Sequence, residues 1–317
     1  MTTRVWVIGG RGLLGKSVKR AIAARSNWVD FDADPLPWGD TAGVAQAARA
    51  AMMRLTAEAR AAHESWSVFW VAGAAVTSSP PEQLERELAE FTEVLTAIAS
   101  VQKPLRRSGS LFIASSAGGV YGGSANPPFD EESQPYPLGG YGHLKLAAET
   151  AARAFGIASG IPTLIGRITN LYGPGQRLDK VQGLISHLAS SSLTGTPVKI
   201  FVPLDTVRDY FYVDDCADLI IRAVERLVVE SKGAPLVVTK ILGSGQSVTI
   251  GSLLGYLRGI SKKPTRLVLG ATGATREQAL DLRMSSTVWR DLDSTDKTPI
   301  VAGFHATILD LARSLER

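Results

Sequence analysis

The sequence has a single cysteine, Cys216, in 317 residues. A lone thiol can form neither an internal disulfide nor a cysteine metal cluster, so a reducing compartment is the simplest setting. Histidines are few as well: His63, His143, His187 and His305. None stands at ligand spacing from another, and no metal is expected. No apolar run approaches the roughly 18 residues needed to cross a bilayer. The chain enters a strand-like run within a few residues, without the pattern of a secretory leader. The expected location is the cytoplasm, away from membranes. Lysine and arginine are scattered, not gathered in runs, which argues against a nucleic-acid partner. The net charge of +4 leaves a mild positive field, suited to an anionic small molecule such as a nucleotide. With 45% hydrophobic and 20% charged residues, the balance is that of a globular chain. Its length allows one large domain or two interleaved ones.

What is present is alternation. Arg4–Ile8 is a short apolar run, read as a buried parallel strand. Glycines follow, then helical spacing from Leu13 to Arg25. Trp28–Asp32 reads as a second strand, and a very short link leads to an alanine-rich helix, Thr41–Ala62. Ser67–Ala72 is a strand, Pro81–Val101 a helix, and Ser110–Ser115 a strand ending in small residues. Tyr141–Gly156 reads as a helix and Thr163–Ile168 as a strand. This βαβα order implies an α/β fold, a Rossmann-like doubly wound parallel sheet covered on both faces. Residues 1–168, with about 209–240, are expected to form the dinucleotide-binding domain. Beyond residue 170 the pattern weakens into loops, helices and short strands (Val198–Phe201, Leu236–Ile241). Residues 169–317 are expected to form mainly a smaller, interleaved substrate-binding part.

Gly9, Gly12 and Gly15 recur at three-residue intervals between the first strand and the first helix. Missing side chains there allow a tight turn and close approach of a pyrophosphate. The helix N-terminus, at Leu13 and Leu14, supplies N–H donors and a positive dipole end. An acid after the second strand is expected to accept hydrogen bonds from the adenosine ribose; Asp32 fits best and Asp30 is the alternative. Such an acid repels a 2′-phosphate and favours NAD. Arg11, beside the loop, favours NADP. Asp40 either meets the adenine amino group or simply caps the next helix.

Tyr141 and Lys145 stand four apart on a helix, hence on one face. A phenol is largely protonated near neutrality, and cationic neighbours favour its anion.

In this order, several segments together resemble the extended short-chain dehydrogenase/reductase family, the nucleotide-sugar epimerases, dehydratases and reductases. They are the glycine loop, Val71–Ala74, Ala114–Ser116 leading to Val120–Gly122, and Asp130–Glu131. Then come Tyr141–Lys145, Arg167–Gln176, Arg208–Tyr210 and Val213–Asp215. The resemblance implies that Tyr141 is the general acid/base on a sugar hydroxyl or ketone. Lys145 would hold the nicotinamide ribose and favour the phenolate, with Ala72 lining the cofactor. Ser116 or Ser115 would bond the same sugar oxygen, Asn170 would contact the nucleotide sugar and Arg208 its diphosphate. Arg276 or Arg283 would add a second phosphate contact. A homodimer through the helices near 81–101 and 141–156 is also implied.

The chain departs from the family pattern in places. Counting four residues back from Tyr121 reaches Ala117, not a hydroxyl. Gly118 and Gly119 occupy the places of the acid–base pair that dehydratases use, which ranks dehydration low. The helix from Glu85 to Ile98 has Glu90 and Thr92 where an asparagine is usual. The short link from Asp32 to Gly39 resembles the 4-keto-sugar reductases, whereas Arg208–Tyr210 resembles the epimerases. The leading expectation is an NAD-dependent nucleotide-sugar epimerase. An NAD(P)H-dependent 4-keto-sugar-nucleotide reductase is the alternative. A non-catalytic NAD(P)-binding regulator ranks third, because such proteins usually lose the Tyr–Lys pair.

Overall fold

The structure is a computed structural model and describes residues 1–178, 183–261, 266–270 and 279–316. The chain begins with β1 (Thr3–Ile8), α1 (Leu13–Ala23), β2 (Trp28–Asp30), α2 (Thr41–Ala61) and β3 (Ser65–Trp70). Next come α3 (Pro81–Ala99), a short α4 (Lys103–Arg106), β4 (Gly109–Ser116) and α5 (Ala117–Val120). α6 (Gly140–Ser159), β5 (Thr163–Ile168), β6 (Asn170–Tyr172), α7 (Leu184–Thr194) and β7 (Val198–Ile200) follow. The rest comprises β8 (Val207–Tyr212), α8 (Val213–Ser231), β9 (Val237–Leu242), β10 (Ser247–Thr249), α9 (Ile250–Ile260), β11 (Leu267–Leu269), β12 (Asp281–Leu282), α10 (Arg290–Asp293) and α11 (Ile300–Leu315).

The main sheet has the order β2-β1-β3-β4-β5-β9, and every pairing in it is parallel. Its strands are apolar on both faces, as a sheet covered on both sides requires. Trp6, Ile8, Val68, Trp70, Leu111 and Ile113 face one core with α2, α3 and α6 residues. Val5, Val7, Phe69 and Phe112 face the other, with α1 and α8. This is the α/β, Rossmann-like doubly wound fold that the alternation implies. The strand order reverses between β1 and β3, which opens a crevice at the carboxyl ends of the strands, where open α/β sheets bind ligands.

β9 belongs to the large sheet although it follows residue 209, and α8 covers the α1 side. The remaining later strands are short. β8 pairs with β6, β10 and β12, and β11 pairs with β7. Around them Tyr172, Ile185, Leu188, Leu253, Leu257 and Phe304 form a separate buried core. No helix among the described residues is long and apolar enough to cross a membrane.

Candidate active site

The glycine loop shows why each glycine is there. Gly9 has φ +94°, and a Cβ on it would lie 2.5 Å from the Ala72 nitrogen. A Cβ on Gly15 would overlap the Gly9 carbonyl and come within 2.6 Å of Gly10 Cα. These two glycines let β1, α1 and the end of β3 close on one another. Gly12 differs: a Cβ there meets nothing nearer than the Gly9 oxygen at 3.4 Å. The protein's own packing does not need it. Gly12 is also the N-cap of α1 and offers no side-chain acceptor, so no cap side chain satisfies the first-turn N–H groups of Leu13 and Leu14. A bare cap with free space before it fits an approaching pyrophosphate. Arg11 lies exposed beside this cap.

The acids after β2 separate by partner. β2 ends at Asp30, two residues earlier than the sequence pattern suggests, though the Phe31 amide still bonds to the Val5 carbonyl at 2.8 Å. Asp30 is ion-paired with Lys19 at 2.9 Å. Asp32 is exposed, and its carbonyl accepts from Arg54, whose guanidinium lies 4.7 Å from the Phe31 ring centre. Arg54 carries no sequence signal for this position, because α2 delivers it from 22 residues away. Asp40 caps α2 by accepting the Gly43 amide at 3.0 Å, which is the structural one of its two expected roles.

Tyr141 and Lys145 occupy the first two turns of α6. That helix end is packed hard against α5: a Cβ on Gly142 would overlap the Gly119 carbonyl and lie 2.7 Å from Pro137 Cβ. A Cβ on Gly119 would lie 3.2 Å from two Tyr141 ring carbons and 3.3 Å from Ser116 Oγ. Ser116 and Tyr141 therefore flank the same glycine. Ser116 is the N-cap of α5 and accepts the Gly119 amide at 3.2 Å. Lys145 is buried, with Nζ 5.5 Å from the Tyr141 ring centre and 3.4 Å from Glu87 Oε1.

Ser115 lines a small cavity together with Lys145 and Glu87, but its hydroxyl is engaged away from Tyr141. It continues the Leu111–Ile113 row toward α6 and donates to Glu149 Oε1 at 2.5 Å. Glu149 is held by Arg167 at 2.7 Å, and Arg167 also donates to the Tyr121 hydroxyl. Tyr121 in turn donates to the Asp130 carbonyl at 2.6 Å and stacks on Phe129. Burial pushes the Tyr121 phenol up to about 12, with the Arg167 guanidinium opposing. The tyrosine of the Val120–Gly122 segment is thus a neutral strut under the site. Sequence reasoning missed the Glu149–Arg167 pair; the only signal was an acid four residues after Lys145, and it pairs elsewhere.

On the far side of the crevice, Asn170 is exposed and donates to the Asp209 carbonyl at 2.9 Å, joining β6 to β8. Arg208 pairs with neither Asp209 nor Asp215. It donates to the Val207 carbonyl at 2.9 Å, and burial holds its guanidinium below the usual arginine range. Asp209 is fully buried and accepts from Thr169, Ser244 and Gly245 at 2.8–2.9 Å. Burial pushes its carboxyl up, against those donors. Arg283 is exposed and bound to Asp281 at 2.8 Å, so its charge is already matched. Arg276 lies outside the described residues.

The chain matches the NAD dependent epimerase/dehydratase family over residues 5–238. It is 27% identical over 260 residues to dTDP-4-dehydro-6-deoxyglucose reductase of Escherichia coli, covering 79% of each chain. It is 28% identical over 269 residues to UDP-glucose 4-epimerase of Azospirillum brasilense, covering 77% of this chain and 74% of that one. Among solved structures, it superposes on UDP-glucuronic acid 4-epimerase from Bacillus cereus, in complex with UDP-glucuronic acid and NAD. The TM-score is 0.76, at 18% identity over 98% of this chain and 99% of that one. With the family matched across most of its length, the glycine loop and the Tyr141–Lys145 helix included, the chain belongs to the NAD dependent epimerase/dehydratase family.

Proposed function

We propose that the protein is an NAD-dependent nucleotide-sugar epimerase acting at a sugar carbinol, C4 of a UDP- or other NDP-sugar. The observation that carries this reading is the convergence of Tyr141, Lys145 and Ser116 at the carboxyl edge of the sheet, beside a glycine-bare helix N-terminus. The cap of α1 would hold the pyrophosphate, and Asp32 the adenosine ribose; an exposed carboxylate there disfavours a 2′-phosphate and supports NAD over NADP. Bound NAD would supply the hydride acceptor, and as NADH the hydride donor, for oxidising and re-reducing the carbinol carbon. Tyr141 takes the hydroxyl proton as that carbon is oxidised and gives it back on reduction. The Lys145 ammonium stabilises negative charge on the Tyr141 oxygen, and Ser116 Oγ orients the sugar oxygen. Gly118 and Gly119 sit in α5 without a carboxylate, which supports epimerisation over loss of water. Asn170 and Arg208 line the substrate side, within the part formed by residues 169–317 without α8 and β9.

Cofactor retention and turnover test the reading together. The protein should purify with NAD that survives dialysis and should interconvert a nucleotide sugar with its epimer. Tyr141→Phe should abolish turnover while sparing cofactor binding; undiminished turnover in that variant would overturn the mechanism. The short link between β2 and α2 supports a second reading, a 4-keto-sugar-nucleotide reductase. A protein that arrives empty and consumes NAD(P)H with a keto sugar would establish it. The working place we propose is the cytoplasm. The assembly we propose is a homodimer through α3 and α6, whose outer faces leave Thr92, Thr96 and Ile157 exposed. Analytical ultracentrifugation reads the assembly directly, and a monomer at micromolar concentration would exclude it.

A further inference from the structure

Glu87 is a residue that no motif marks, yet it touches the centre of the proposed site. Its carboxylate is divided between two tasks. Oε2 accepts the N–H groups of Ala74 and Ala75, each at 3.0 Å. Oε1 lies 3.4 Å from Lys145 Nζ. The two side chains are only 13% and 9% exposed, so water screens the pair weakly. One carboxylate thus ties together α3, α6 and the turn after β3. The backbone donors fix the carboxylate independently of Lys145, so the lysine meets a partner that is already ordered.

The neighbouring acids are occupied. Glu149, one turn along α6, belongs to Arg167 and Ser115. Glu90, one turn along α3, is buried and accepts the Gly39 amide at 2.6 Å. Tyr141 is a second ionisable group near the lysine, whose Nζ lies 5.5 Å from the Tyr141 ring centre. The Lys145 ammonium is therefore balanced between a carboxylate on α3 and a phenol on its own helix.

We infer that Glu87 is a positioning residue, which holds the Lys145 ammonium against the turn after β3 and sets how much positive charge Tyr141 feels. This rests on the proposed roles of Tyr141 and Lys145 for its consequence, but not for its geometry. Removing the carboxylate has two effects. The lysine loses the partner that holds its ammonium in place, so Nζ is freed to react. Tyr141 is left facing an ammonium that no carboxylate on α3 balances.

The test uses Glu87→Gln, which keeps an acceptor for Ala74 and Ala75 but removes the charge. In the cofactor-free protein, acetic anhydride labelling at Lys145 is read by mass spectrometry, with exposed Lys16 as internal reference. Labelling at Lys145 should rise about tenfold once the carboxylate no longer holds the amine. In the loaded enzyme, the pH profile of kcat/KM should move toward acid, because a negative charge near the proposed acid/base is gone. If Glu87→Gln fails to fold, Gly73→Ala serves instead. Its added methyl would lie 3.3 Å from Glu87 Oε1 and 3.5 Å from Lys145 Nζ, so it should loosen the pair and raise the labelling. A residue that merely anchors the turn would leave both labelling and profile where they are, and that result overturns the inference. Raised labelling in a protein that turns over no nucleotide sugar would sustain the pairing and sink the proposed function.

Discussion

At the scale of the residue, the adjacent serines Ser115 and Ser116 show how one position decides a role. Successive strand side chains point to opposite faces, so the two cannot share a task. Ser115 donates to the buried Glu149 carboxylate, which Arg167 also holds. Ser115→Ala should therefore cost about 1–2 kcal/mol of stability and leave kcat within about twofold. Ser116→Ala should lower kcat about tenfold to a hundredfold, and should cost about 1 kcal/mol through loss of the α5 cap. Urea unfolding and steady-state kinetics on both variants check this. A large kcat loss in Ser115→Ala with none in Ser116→Ala would reverse the assignment. The sequence limits the choice to these two by motif and alternation. It does not say which faces the tyrosine, because that depends on where α6 and Glu149 dock. The pairings of Glu87 and Arg167 were hidden for the same reason: each acts on a partner that chain spacing does not predict, 58 and 18 residues away.

At the scale of the element, the β1–α1 unit was readable because its signals are local. An apolar run, three glycines and a helical period lie within about one βα step. What spacing alone does not separate is which glycines serve the fold and which serve the ligand. Gly15→Ala should destabilise the protein by about 3 kcal/mol or more, since its methyl would overlap the Gly9 carbonyl. Gly12→Ala should fold normally, because φ is −74° and the nearest atom lies at 3.4 Å. It should nevertheless weaken cofactor binding at least about tenfold, or 1.4 kcal/mol. Thermal unfolding and calorimetric titration with NAD separate the two effects. Equal losses of stability in both variants would mean that Gly12 too belongs to the packing. Elements beyond β5 were harder to read. β6, β7, β10 and β11 have three residues each and β12 has two, too short to carry a period. β6, β10 and β12 are made a sheet by pairing with β8, and β7 and β11 by pairing with each other.

At the scale of the whole molecule, the question is what fastens the later chain to the large sheet. Two charged groups do much of it. Lys240 on β9 is fully buried and donates to Ser286 Oγ, the Val288 carbonyl and Asp293 at 2.6–2.9 Å. Glu131 accepts the amides of Ile241 and Thr287, each at 2.7 Å, and Ser286 Oγ at 2.6 Å. It joins three segments that are distant in sequence. Burial works to raise the Glu131 carboxyl, but the donors from Ser286, Thr287 and Ile241 prevail and hold it below its ordinary 4.5. A carboxyl depressed by folding lends stability above its unfolded value and loses it as the pH falls through the folded one. The attachment of residues 285–288 should therefore be intact at neutrality and weaken as the pH drops below about 4.5. Buried Asp209, whose carboxyl folding raises, acts in the opposite sense: its ionised form costs stability as the pH rises through its folded value. Glu131→Gln isolates the first effect, because it leaves Asp209 alone and removes the charge that the donors favour. At pH 7 the variant should lose about 1.5–3 kcal/mol. Its stability should then change less between pH 7 and 4 than that of the wild type. Hydrogen-exchange protection of the Ile241 and Thr287 amides locates the change. If those amides are as protected in Glu131→Gln as in the wild type, Glu131 is not the fastening, and Lys240 with Asp293 holds the later chain alone.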